Sequence, residues 1–231
     1  MISYSDLVPE LIVFEVRYPH RYLYLDNCGK ILKEISEHLK DIGQADMSIN
    51  SASINFPKKK LSVAFSPELI VIQIMYSKDV KMLGEYSNLI VNTICRLLEI
   101  NVFSRIGNRF QFIKPTNSPD DFSKIFAKNK LINIPGEVIN KLGSKVKDQA
   151  VKFTIDKDEN FGYNFRFAYT KRDYPHINIK DFDTSKFISE GIFFDIDIFT
   201  TKSVLLSTLD CSELIRKHIK DYEFLINMFI E

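Results

Sequence analysis

The sequence predicts an α+β protein made of two β-α-β3-α halves, residues 1–100 and 101–231, joined in one compact unit. Their strands form a broad antiparallel sheet with two long helices on one face. Three observations predict it. Several short stretches alternate apolar and polar residues with a period of two, as half-buried strands do. Two long stretches, near 79–99 and after Asp210, repeat apolar residues every three or four positions, as amphipathic helices do. The order of elements in the first half recurs in the second, with extra residues near 130–148 and 171–190.

Residues 11–18 are the first strand. Ile12, Phe14, Val16 and Tyr18 fall on one side, Glu15 and Arg17 on the other. Pro19 stops it. The aromatic run 20–25 fits a strand extension or a loop. Asp26 or Asn27 can then cap a helix over about 29–40, whose apolar positions are Ile31, Leu32, Ile35 and Leu39. Strands follow at about 48–56, 60–65 and 69–76. Pro57 to Lys60 and Ser66 to Glu68 mark the turns between them. The three lysines 58–60 fit a solvated hairpin tip. The long helix of about 79–99 buries Val80, Leu83, Tyr86, Ile90, Ile94, Leu97 and Leu98, with Cys95 beside them as a core thiol.

The pattern then restarts. Residues 102–114 read as a strand or hairpin, with Gly107 marking a bulge or bend. Ser118, Pro119, Asp120 and Asp121 open a helix to about 128, with a serine cap, proline in the first turn and acids at the positive end. A short helix is expected at 137–142, strands at 150–156 and 162–170, and a short strand and helical turn at 176–179 and 185–188. The strand 191–199 is apolar and β-rich. Asp210 and Glu213 have capping-box spacing for the last helix, whose stripe is Leu214, Ile215, His218, Tyr222, Leu225, Ile226 and Phe229. His218 in that stripe fits a hydrogen-bonded core residue. Joined edge to edge, two such units resemble the saddle of TATA-box-binding-like folds, or the helix-grip folds. That likeness is architectural and carries no function.

If the apolar side of each strand faces the helices, the other side collects Glu15, Arg17, Arg105, Arg109, Gln111, Arg166, Asp195 and Asp197. Asp195 and Asp197 lie two residues apart on one strand, and two such charges in a half-buried setting need compensation. Arginines from neighbouring strands would supply it, through a planar fork suited to carboxylate. Mg²⁺ or Mn²⁺ is the alternative.

Composition limits the rest. Hydrophobic residues make up 45% and charged residues 26%, as in a globular chain. A net charge of +1 gives no strong attraction to nucleic acid or acidic membranes. The three cysteines, Cys28, Cys95 and Cys211, are scattered, which suits free thiols in the cytoplasm. The N-terminus does not resemble a signal peptide, and no apolar run approaches the roughly 20 residues of a membrane span. No phosphate-binding glycine loop, zinc-ligand spacing or nucleophile elbow occurs.

Three motifs carry a family resemblance. They are Phe14 to Pro19 (FEVRYP), Arg105 to Phe110 (RIGNRF) and Phe194 to Phe199 (FDIDIF) followed by a helix. The chain resembles a sporadically distributed bacterial family of about this size, with these motifs in this order and no established activity. The resemblance implies that the charged motif positions belong to one pattern. Its patchy distribution implies an accessory role, as in a phage-defence or toxin–antitoxin locus.

The expected function is a non-enzymatic cytosolic binding protein without a cofactor. Its charged sheet face, with Glu15, Arg17, Arg105, Arg109, Arg166, Asp195 and Asp197, would engage a protein partner or a small anionic ligand. The alternative is an Mg²⁺- or Mn²⁺-dependent enzyme acting on a nucleotide or phosphodiester. Asp195 and Asp197 would then hold the metal, the arginines would stabilise phosphate charge and Glu15 would be a third ligand or base. Nucleic-acid and membrane binding are disfavoured, and a homodimer stays open.

Overall fold

A computed structural model of the chain describes residues 4–128, 150–156, 159–171 and 190–230. The expected elements at 137–142, 176–179 and 185–188 lie outside the described residues.

Alternation makes the strands. In β1 (Val8–Arg17), Ile12, Phe14 and Val16 are fully buried, and the residues between them are not. β3 (Ala52–Phe56), β4 (Leu61–Phe65) and β5 (Leu69–Met75) alternate in the same way. β7 (Arg105–Pro115), β8 (Ala150–Asp156), β9 (Phe161–Lys171) and β10 (Glu190–Thr200) complete the main strands. β2 (Ala45–Met47) has no sequence signal, because its three residues are all exposed at a sheet edge. β6 (Val102–Phe103) and β11 (Val204–Leu205) pair separately.

The main sheet has nine strands in the order β2-β3-β4-β5-β1-β7-β10-β9-β8, and every pair is antiparallel. β1 and β7, the first main-sheet strands of the two expected halves, are neighbours, so the sheet is continuous. Gly107 is not a bulge: β7 keeps register through it, and the irregularity lies in β1 between Pro9 and Leu11.

Among the described residues the helices pack on one face of the sheet. α1 (Leu23–Leu39) starts earlier than the sequence suggests, so residues 23–25 are helical. Tyr24, Cys28, Ile31, Ile35 and Leu39 form one buried helical stripe, and Tyr24 packs edge-on to Phe65 of β4. α2 (Val80–Leu98) is capped by Asp79, whose carboxylate accepts from Met82 N at 2.8 Å. α3 (Pro119–Lys128) stacks Phe126 on Phe167 of β9. α4 (Cys211–Ile230) places the Tyr222 ring against Phe110 and Phe112 of β7. The rings and aliphatic chains between these layers form the core.

The start of α4 is held by α2. Asn88 donates to Asp210 at 3.1 Å and to Ser212 at 2.9 Å, and accepts from Cys211 N at 2.8 Å. Asp210 also accepts from Glu213 N at 3.1 Å, as the spacing predicted. His218 is fully buried and hydrogen-bonded to Asn108 at 2.8 Å. At the hairpin tip, Lys58 and Lys59 pair with Asp41.

Candidate functional site

With the described helices on the apolar side, side chains of opposite parity lie on the other face, where Arg17 and Arg166 are exposed while Ile113, Phe193 and Asp195 are buried. Cross-strand register arranges them in rungs. Arg17 of β1 lies opposite Arg105 of β7. The next rung runs Glu15, Gly107, Phe199, Gly162 and Asp156. The third runs Val13, Arg109, Asp197, Asn164 and Thr154, and the fourth Leu11, Gln111, Asp195, Arg166 and Lys152.

Long side chains connect the rungs diagonally. Glu15 Oε1 accepts from Arg17 Nε and Arg105 Nη1, both at 2.7 Å. Arg105 Nη2 donates to Asp197 Oδ2 at 2.6 Å, and Asn164 Nδ2 donates to the same oxygen at 3.2 Å. Arg109 grips Asp195 with both arms, Nε to Oδ1 at 2.7 Å and Nη2 to Oδ2 at 2.6 Å. Gln111 adds a donor to Asp195 at 3.3 Å. The expected residues thus meet in two clusters, Glu15, Arg17, Arg105 and Asp197 in one and Arg109 and Asp195 in the other.

Close approach explains the glycines of the second rung. A Cβ on Gly107 would lie 3.1 Å from Arg105 Nη1 and 3.3 Å from Asp197 Oδ1. A Cβ on Gly162 would lie 2.6 Å from the Phe199 ring. The ring crosses that bare backbone, and the Arg105 guanidinium sits 4.7 Å from its centroid. Phe199 and Asn164 were not expected in the site. Their signal was in the sequence, since Phe199 shares the parity of Asp195 and Asp197.

Arg166 stands apart. It is the cross-strand neighbour of Asp195, but Asp195 is already gripped by Arg109. Arg166 is exposed and makes no ion pair among the described residues. Its other neighbour is Lys152, also exposed and also without an ion pair among the described residues. Like charges directly opposite one another are unfavourable in a sheet.

Electrostatics differ between the two aspartates. The Asp195 carboxylate holds the proton on Arg109 more tightly than usual. Burial raises Asp197 above the ordinary 3.8, and this outweighs the opposing pull of Arg105. A raised carboxyl means that the folded state binds the proton more tightly than the unfolded chain. Stability therefore falls as pH rises from 3.8 through the folded-state value, and the cost persists at neutral pH. Asp197→Asn is expected to be neutral or stabilising at pH 7, within about 1 kcal/mol. Its advantage should vanish below 3.8, where Asp197 is protonated in both states. Paired thermal melts from pH 3 to 7 check this; a variant less stable at pH 7 by more than that margin contradicts it.

As metal donors, Asp195 and Asp197 turn to different guanidiniums. Among the described residues no group of three His, Cys, Asp or Glu side chains is placed to hold a metal ion. No protein-family model matches the chain, and no curated protein matches it. No helix among the described residues is long and apolar enough to cross a membrane.

Proposed function

We propose that the protein is a cytosolic binding protein whose charged sheet face holds an acidic segment of a partner protein. The observation that carries this reading is the exposed Arg166–Lys152 pair. Two cations face each other, and Asp195, the cross-strand neighbour of Arg166, is gripped by Arg109. An anionic side chain laid between them would relieve the repulsion and gain two charge-assisted bonds. Arg17 and the exposed flank of Arg109 extend the same face. The packed helices behind the sheet hold these groups in place, which limits the entropy lost on binding. Among the described residues the three cysteines are buried and unbridged, which supports a reducing compartment. The family resemblance would place the partner in an accessory bacterial locus.

The test uses a fluorescent glutamate-rich peptide and charge reversal at the exposed pair. Arg166→Glu with Lys152→Glu should weaken binding at least about tenfold, a change of about 1.4 kcal/mol. The unfolding midpoint should stay near that of wild type. Added salt should weaken the wild-type complex, as for exposed charge pairs. Equal affinity in the variant rejects the reading. So does tighter, salt-sensitive binding of an oligonucleotide of equal charge, which would make the face a nucleic-acid surface.

A further inference from the structure

A second feature lies outside the charged face. Residues His20, Arg21, Tyr22 and Leu25, at the entry to α1, line a cleft of about 320 Å³ with Ile49, Asn50 and Pro67. That volume is near the lower end for small-molecule sites, about 300–1,000 Å³.

The walls come from three separated segments, and hydrogen bonds tie them together. Arg21 N donates to Pro67 O at 2.8 Å, and Tyr18 Oη donates to Ser66 O at 2.7 Å. These fix the entry to α1 against the turn between β4 and β5. Tyr24 Oη donates to Ser48 O at 3.0 Å, which fixes the β2–β3 turn. Within that turn Ser48 N donates to Ser51 O at 2.8 Å, and Ser48 Oγ accepts from Asn50 N at 3.2 Å. The cleft is therefore formed before any ligand arrives.

Its chemistry is two-sided. Arg21 Nε is shielded from solvent and has no hydrogen-bond partner among the described residues. Arg21 also lines the cleft and makes no ion pair among the described residues, so an anion in the cleft would meet a guanidinium with no carboxylate partner. Tyr22 supplies no side-chain cap to α1, and Tyr24 N and Leu25 N donate instead to Arg21 O at 3.2 Å and Tyr22 O at 3.1 Å. His20 adds a second donor, its ring 4.8 Å from that of Tyr22. Beside these polar groups stand apolar side chains that a folded chain ordinarily covers. Tyr22, Leu25 and Ile49 are 80%, 61% and 75% exposed.

We propose that this cleft binds a small organic carboxylate with an apolar body. The carboxylate pairs with Arg21 at the first turn of α1, and the body lies on Leu25, Ile49 and the Tyr22 ring. Acetate would lack the body, and an amine of the same shape would meet the Arg21 guanidinium.

The test titrates the protein with phenylacetate, acetate and benzylamine, observed by ligand-detected NMR and calorimetry. Phenylacetate should bind at least tenfold more tightly than either control. Arg21→Gln and Ile49→Asp should each lower its affinity by a similar factor. Ile49 is outside the core, so Ile49→Asp keeps the test decisive if Arg21→Gln disturbs the fold, as unfolding midpoints will report. N-acetylphenylalanine separates the two sources of such a group. Tighter binding than phenylacetate assigns the cleft to a peptide C-terminus, and weaker binding to a free small acid. No response to phenylacetate at millimolar concentration, an equal response to benzylamine, or affinity untouched by Ile49→Asp overturns the proposal. None of these outcomes depends on Arg166 or Lys152, so the reading of the sheet face stands or falls separately.

Discussion

Replacing Arg109 by alanine is expected to lower the stability of the fold by about 3 kcal/mol, the low end for breaking a buried ion pair. The Asp195 side chain is only 6% exposed, whereas that of Arg109 is 48% exposed. Without Arg109 the carboxylate keeps one long hydrogen bond, from Gln111 at 3.3 Å, and must stay charged in a dry site or take up a proton. For a chain of this size the loss corresponds to a fall in Tm of roughly 6–12 °C. The reverse truncation should cost less, about 1 kcal/mol, because a half-exposed guanidinium can hydrate once Asp195 is gone. The double variant should then be more stable than Arg109→Ala alone. Thermal and urea unfolding of the three variants gives the cycle. A loss below about 0.5 kcal/mol in Arg109→Ala would mean that water reaches Asp195 freely.

Gly84→Ala is expected to destabilise by about 2 kcal/mol, against what helix propensity alone dictates. Alanine inside a helix normally gains about 1 kcal/mol over glycine. Here the new Cβ would lie 2.8 Å from Ser212 Cα, 3.0 Å from its Oγ and 3.1 Å from its Cβ. Most of that contact is backbone or its nearest atoms, so no side chain can swing aside. α2 and α4 must separate, and the Asn88 bonds that hold the start of α4 stretch with them. Gly29 in α1 is the control. Its Cβ would meet nothing within 4 Å, so Gly29→Ala should stabilise by about 0.5–1 kcal/mol. Opposite signs in urea unfolding would confirm that helix contact, not propensity, decides at Gly84. A gain at both sites would refute it.

Particular residues show how much of this was legible. The alternation of Ile12, Phe14 and Val16 against Glu15 and Arg17 assigns sides before any partner strand is known. So does Phe194, Ile196 and Ile198 against Asp195 and Asp197. A strand has only two faces, and burial chooses between them. α1 was read too short because Tyr22 offers no polar cap to mark its start, and the buried stripe begins one turn earlier, at Tyr24. β2 was missed because an exposed three-residue edge strand has no apolar pattern to show. Gly107 suggests a bulge or bend because sequence shows that glycine is tolerated, not what approaches it.

Local pattern in the chain sets the classes of element, their order, the face each strand buries and the clustering of arginines and aspartates on the opposite face. These follow from periodicities that are local in the chain. Only the tertiary structure decided that β1 and β7 are neighbours, that Arg109 takes Asp195 while Arg105 bridges Glu15 and Asp197, and that Arg166 faces Lys152. It also decided that residues near 20, 50 and 67 enclose one cleft. Each of these depends on which strand lies beside which, and in what register. That is set by the collective packing of the core, where a slip of one residue would turn a whole strand over.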